Sequence, residues 1–268
     1  MMTPSRSYNA SRMKSILKIL GLAAVLLVIA AVVVIAVTFL GRQSILDGVE
    51  IDGIHIVKDG IVSVAVVPVA QGQVVLVDAG NDKSGQAILA ELSRRQLGPD
   101  AVTAILLTHG HPDHTAAIAM FSKAQVMALD TEVALVEGRT AARGPVPRLF
   151  PARPTGVKVT PLQDGATVRV GETQIGVFAV PGHTAGSAAY LVNGVLFLGD
   201  AADATSDGEV KGAPWIFSDS QPQDRASLVA LDQRLLHDGV NVKAIVFAHS
   251  GVLTKGLTPL TVFAQTNH

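Results

Sequence analysis

The sequence predicts an α+β domain set behind one N-terminal membrane-spanning helix, and three observations predict it. The first is an uncharged run of 22 residues, Ile19 to Leu40. The second begins at about Ser44: from there short β-branched runs alternate with helix-like segments, strands outnumber helices, and helices fall between groups of strands. The third is composition, 49% apolar against 16% charged, which a folded core explains and a disordered chain does not. The same figures limit the partners. A formal net charge of −1 and only 4% aromatic residues supply neither a basic surface nor stacking platforms, which argues against nucleic acid. Cysteine is absent, so any metal must be held by nitrogen and oxygen.

Residues 1–18 form a basic N-terminus, with Arg6, Arg12, Lys14 and Lys18 ahead of the apolar run and Arg42 the nearby cation after it. About 20 helical residues cover the ~30 Å hydrocarbon core of a bilayer, so residues 19–40 suffice for an anchor. A cleaved signal peptide is the rival reading, but its apolar region usually covers about 7–15 residues, and no convincing small-x-small cleavage site precedes Gly41. The charge asymmetry keeps the N-terminus cytoplasmic and turns the domain, residues 45–268, to the periplasmic or extracellular side.

Within that domain, Ile54 to Gly80 reads as a meander of strands broken at Asp59-Gly60 and Gln71-Gly72. Residues 83–98 read as an amphipathic helix, apolar at Ile88, Leu89 and Leu92, with Ser84 near its start and Gly98 as its stop. Residues 101–108 are a buried strand, 114–124 a helix, 124–129 a strand and 131–138 a helix. Residues 139–163 interleave Arg139, Arg143, Arg148, Arg153 and Lys158 with five prolines, including Pro151 and Pro161, and predict no regular element, either a connector or a cationic lid. Strands come next over 167–180 and 188–199, the latter around an Asn-Gly hairpin signal. A loop from Ala201 to Asp224, a helix over 225–239 and a strand over 242–248 complete the expected order.

The chemistry gathers where the strands end. The stretch "THGHPDH" places His109, His111, Asp113 and His114 directly after one strand, and only eight histidines exist in 268 residues. Other strands run into His183, Asp200 and His249. Rigid strands fix positions while the loops after them offer side chains. His109 and His111, two apart in an extended turn, can share one ion, which His183 would complete; Asp113 and His114 can address a second, completed by His249, with Asp200 bridging. Each ion keeps an open position for water, which marks a catalytic site. Bound water loses its proton near pH ~7, so a bridging hydroxide needs no serine or cysteine nucleophile. His55 and His237 read as surface or structural, and His268 as the last residue.

These residues resemble the metallo-β-lactamase superfamily. "THGHPDH" resembles its His-x-His-x-Asp-His motif, "PGHTAGS" its Gly-His turn, "LFLGD" its strand ending in the bridging aspartate, and "FAHSG" its last histidine loop. The resemblance covers about Val49 to His249 and implies a four-layer αββα sandwich with a dinuclear site at one edge. It implies two divalent metal ions, zinc first, with iron or manganese as the other candidates. Asp113 and Asp200 would be the catalytic carboxylates, and Asp78 in "VVLVDAG" would support the ligands from behind. Class B β-lactamases differ in carrying Cys or Ser where Asp200 stands. Lactonase-like sites differ in a tyrosine three positions on, where this chain has Asp203, and glyoxalase II-like enzymes in a Cys-Gly-Arg segment and a helical C-terminal domain.

The expected function is a membrane-anchored, metal-dependent hydrolase of an ester, thioester, lactone or related small molecule. An iron-dependent oxidoreductase of the same fold and a non-catalytic metal-binding module are the alternatives. Trp215 and Phe217, in the loop beside the expected metal edge, would either line a substrate pocket or plug the core.

Overall fold

Two compact units make up the chain, residues 1–41 and 42–268. The computed structural model describes residues 6–70, 72–150 and 154–267. Gln71, Pro151, Arg153 and His268, on which parts of the sequence reading fall, lie outside these. In the first unit, α1 (Arg6–Phe39) contains a stretch of 27 residues, Met13–Phe39, that is long and apolar enough to cross a membrane. At 1.5 Å per residue it measures about 40 Å.

The second unit begins with the meander that the turn signals predict. Strands β1 (Val49–Ile51), β2 (Ile54–Asp59), β3 (Val62–Ala70) and β4 (Gln73–Val77) pair antiparallel in sequence order. After helix α2 (Gln86–Arg94), β5 (Val102–Leu106), β6 (Gln125–Leu129) and β7 (Val159–Leu162) add in parallel, giving a seven-stranded sheet. The second sheet repeats the plan. Strands β8 (Thr167–Val170), β9 (Thr173–Ala179), β10 (Ala188–Val192) and β11 (Val195–Gly199) run antiparallel. Then β14 (Ala244–Phe247) pairs with β11 in parallel, and β15 (Val252–Leu253) closes the edge.

Side-chain alternation stacks these sheets. In β3, Ala65, Val67 and Val69 point into the space between the sheets while Val64 and Val66 point outward; in β11, Val195 and Phe197 point in while Leu196 and Leu198 point out. The outer face of the first sheet packs on Ile88 and Leu92 of α2. The outer face of the second packs on Leu228, Leu231 and Leu235 of α5 (Gln221–His237) and on Leu260 and Phe263 of α6 (Thr258–Thr266). The result is the expected αββα sandwich. Both faces of each sheet are buried, which is why the strands read as continuous apolar runs.

Several local expectations need correction. The helix expected over 114–124 is only α3 (Pro112–Thr115) followed by a 3-10 turn, Ile118–Met120. The amides of Ala116 and Ala117 donate instead to the carbonyls of Gly80 (3.1 Å) and Ala79 (3.0 Å), so the helical ladder loses them to the loop after β4. The helix expected over 131–138 is the short α4 (Val133–Val136). Helix α2 stops with Gln96 in the left-handed region, φ 58°, rather than at Gly98; the amide of Leu97 returns to Leu92 O, a C-terminal motif that glycine usually serves.

Residues 139–163 do hold a strand. β7 takes Pro161 because it lies at the sheet edge, where no outward donor is required. The expected loop over 201–224 contains a hairpin, β12 (Ala202–Ala204) and β13 (Val210–Gly212), and α5 starts early, with Ser220 accepting from Gln223 N. β1, β15 and α6 have no counterpart in the sequence reading. His55 is structural: it bridges Glu50 (3.1 Å) and the buried Glu91 of α2 (3.0 Å).

Candidate metal centre

Strand direction decides where the chemistry collects. β4, β5 and β6 run one way in the first sheet, and β9, β11 and β14 share one direction in the second. Their C-terminal ends meet: Ala188 N donates to Thr108 O (2.8 Å), Tyr190 OH to Leu107 O (2.8 Å), and Ser63 N to Ala248 O (2.8 Å). Gly199, at φ 55°, lets the end of β11 come so close to β5 that a Cβ there would lie 2.6 Å from the Thr108 side chain. Asp200 therefore arrives beside His109 and His114.

The ring orientations are set by what each Nδ1 touches. His114 Nδ1 donates to Asp78 Oδ2 (2.9 Å), His249 Nδ1 to Ile61 O (2.9 Å), His183 Nδ1 to Ser218 Oγ (3.2 Å) and His109 Nδ1 to Thr108 Oγ1 (3.2 Å). The two hydroxyls are free to accept because each spends its own proton elsewhere, Ser218 on Pro214 O and Thr108 on Asp78. Fixing the proton on Nδ1 leaves Nε2 as the inward lone pair. Asp78 anchors this frame from the left-handed region, φ 64°, and accepts from Thr108 N as well (2.8 Å).

All seven side chains singled out in the sequence come together. His109, His111, His183 and Asp200 form one group, and Asp113, His114 and His249 a second; in each, the ligating atoms lie within 4.8 Å of one another. Asp200 reaches across both groups. Its oxygens lie 3.5 Å from His183 Nε2, 3.9 Å from His109 Nε2, 3.2 Å from His114 Nε2 and 3.0 Å from His249 Nε2. Asp113 Oδ2 is 3.3 Å from His249 Nε2.

Burial keeps His183 at about 3 and His109 well below the usual imidazole range, so both rings are neutral, the form that binds cations. Burial opposes charge on Asp113 too, yet His114 and His249 hold its carboxyl at about 2. Burial likewise opposes charge on His249, but Asp200 and Asp113 outweigh it and lift the ring to about 10.

The donors fit divalent cations. Nε2 of His109, His111 and His114 and Oδ1 of Asp200 are buried without a hydrogen-bond partner. Such groups are costly to bury unless something else satisfies them. Imidazole nitrogen and carboxylate oxygen without thiolate suit zinc, iron or manganese alike, so the set implies divalent metal ions and leaves the element open.

Residues 57–249 match the family described as the metallo-beta-lactamase superfamily. The chain belongs to that superfamily. A hydroxyacylglutathione hydrolase from Shewanella sp. (strain ANA-3) is 32% identical over 147 residues, covering 54% of this chain and 49% of that protein. The chain thus spans about half the length of the curated relatives it matches. Among solved structures, a B3 metallo-beta-lactamase with an active-site glutamic acid aligns with a TM-score of 0.62 at 18% identity, over 87% of this chain and 90% of that one. The subclass B3 enzyme BJP-1 of Bradyrhizobium japonicum aligns at 0.59 and 22%, over 85% and 93%.

In this member of the metallo-β-lactamase superfamily, the loop before α5 divides its aromatic residues. Ile216 is buried, Trp215 is 54% exposed, and Phe217 is half-buried next to Ser218, the partner of His183. Part of the Pro/Arg-rich segment is fastened to this loop: Arg143 binds Asp219 (3.1 Å), and Val146 N donates to Ile216 O (2.8 Å). Sequence reasoning missed Thr108, Ser218 and Glu132. Thr108 alone carried a signal, its place directly before the histidine cluster.

Proposed function

We propose that residues 42–268 are a metal-dependent hydrolase acting on a thioester, ester, lactone or related small molecule. His109, His111 and His183 would hold one divalent cation and Asp113, His114 and His249 a second, zinc in the first instance, with Asp200 between them. Such cations acidify bound water to near neutrality and polarise a carbonyl. The chain's part is to aim one ring nitrogen of each of five histidines inward, to keep Asp113 and Asp200 ionised as the two catalytic carboxylates, and to hold that constellation rigid from behind through Asp78, Thr108 and Ser218. Trp215 and Phe217, with residues 143–146 beside them, would supply the apolar wall for the acyl or leaving group.

The observation that carries this reading is the cluster of five histidines, Asp113 and Asp200 that four separate strand ends assemble, in which the buried Nε2 atoms of His109, His111 and His114 have no hydrogen-bond partner. A thioester is favoured within the substrate class because the curated relatives hydrolyse one. The domain would sit outside the cytoplasm, held by residues 19–40, with residues 1–18 cytoplasmic. The test is metal analysis of the purified protein, followed by a panel of acyl thioesters, esters and lactones before and after stripping. About two zinc ions per chain and hydrolysis that disappears on chelation and returns with zinc are expected. Hydrolysis indifferent to stripping, or bound iron with oxygen uptake, would overturn it.

A further inference from the structure

Glu132 stands at the junction of β6 and α4, is 1% exposed, and plays no part in the metal-binding reading. Its Oε1 accepts from Gly110 N at 2.7 Å and its Oε2 from Gly186 N at 2.9 Å. Gly110 lies between His109 and His111, and Gly186 lies three residues past His183. A Cβ on Gly110 would fall 2.9 Å from Leu135 Cγ and 3.0 Å from Val136 N; on Gly186 it would fall 2.5 Å from Glu132 N. Neither glycine has positive φ, so space and not backbone freedom selects them. The first turn of α4 is therefore wedged between the two turns, and one carboxylate ties both. Burying an ionisable group is costly unless both oxygens are satisfied, and here each serves a different turn.

We propose that Glu132 is a positioning residue that clamps the His109–His111 turn to the His183 turn and so sets the spacing of the first cation's ligands. The proposal rests on the metal-binding reading above. A glutamine in its place keeps the volume but offers a single acceptor oxygen and turns an NH2 toward the second amide. One turn is then released, and the His183 Nε2 to His111 Nδ1 separation, now 3.0 Å, is no longer fixed.

The test compares wild type, E132Q and H109A for cobalt(II) binding, by competition titration and visible absorption. E132Q should lose affinity at the first group by about 10–100-fold, the usual cost of removing an outer partner, with an altered cobalt spectrum. Binding at Asp113, His114 and His249 should change by less than about threefold, a selectivity that general loosening of the fold would not give. Wild type that binds no cobalt, or H109A that binds like wild type, would sink the metal-site reading itself. Wild type that binds, with E132Q equal to it in affinity and spectrum, would sink the clamp alone. Should E132Q fail to fold, hydrogen exchange on wild type decides: the Gly110 and Gly186 amides should be protected and open together, and rapid exchange of either overturns the clamp.

Discussion

Asp224 enters the first turn of α5 with Oδ2 accepting from Ala213 N at 3.0 Å and Oδ1 buried without a hydrogen-bond partner. Burial raises its carboxyl to about 8. The folded chain therefore keeps a proton that the unfolded chain gives up near 3.8, its ordinary value. Stability from this group is full below about pH 4, falls as pH rises toward 8, and is level above that. Asp224→Asn mimics the protonated form without titrating. Its gain in unfolding free energy over wild type, read from urea titrations, should grow between pH 4 and 8, on the order of a few kcal/mol by the upper end. A gain independent of pH would show that Asp224 is ionised throughout. Single residues were legible in the sequence where they cluster, as in His109 to His114. Asp224 and Glu132 were not, because each looks like one more acid at the start of a helix. Their meaning lies in amides that sequence does not place beside them, those of Ala213, Gly110 and Gly186.

Elements were legible when hydrogen bonding stayed within them and illegible when it left. The helix expected over 114–124 failed because two of its amides serve the loop after β4; β7 was hidden because proline counts against a strand except at an edge. The stretch after Gly41 belongs with these. Gln43 N donates to Ala204 O (2.9 Å), Arg42 bridges to Thr205, and the Arg42 guanidinium pairs with the buried Asp203 at 2.6 Å. Asp203 lies three residues beyond Asp200, so these two residues brace the strand that comes after the central carboxylate. A fragment starting at Ser44 would leave Asp203 buried without its guanidinium, a loss of about 3–5 kcal/mol. Arg42→Ala in a fragment starting at Gly41 should cost a similar amount, and adding Asp203→Ala should restore much of it. Equal urea midpoints for fragments beginning at 41 and at 44 would count against this bracing role.

At the scale of the molecule, residue periodicity signalled strands but not layers, since strands buried on both faces carry apolar residues at every position. The four-layer count came from the motifs' resemblance, and the two-sided packing of β3 and β11 accounts for the silence of the pattern. Orientation across a membrane is a separate matter, decided by charge. Arg6, Arg12, Lys14 and Lys18 precede the apolar stretch, and the one nearby cation after it, Arg42, is engaged by Asp203. That pairing sharpens the asymmetry on which the positive-inside rule acts. It predicts residues 1–18 in the cytoplasm and the metal-binding unit outside. The chain has no cysteine, so single thiols report without background. Ser206→Cys, at an exposed position, should react in intact cells with a membrane-impermeant maleimide once the outer barrier is permeabilised, and Ser7→Cys only after lysis. The reverse pattern would invert the topology. Loss of the Ser7→Cys label from the mature protein, with a matching drop in mass, would make residues 19–40 a cleaved leader, because an anchor retains everything ahead of it.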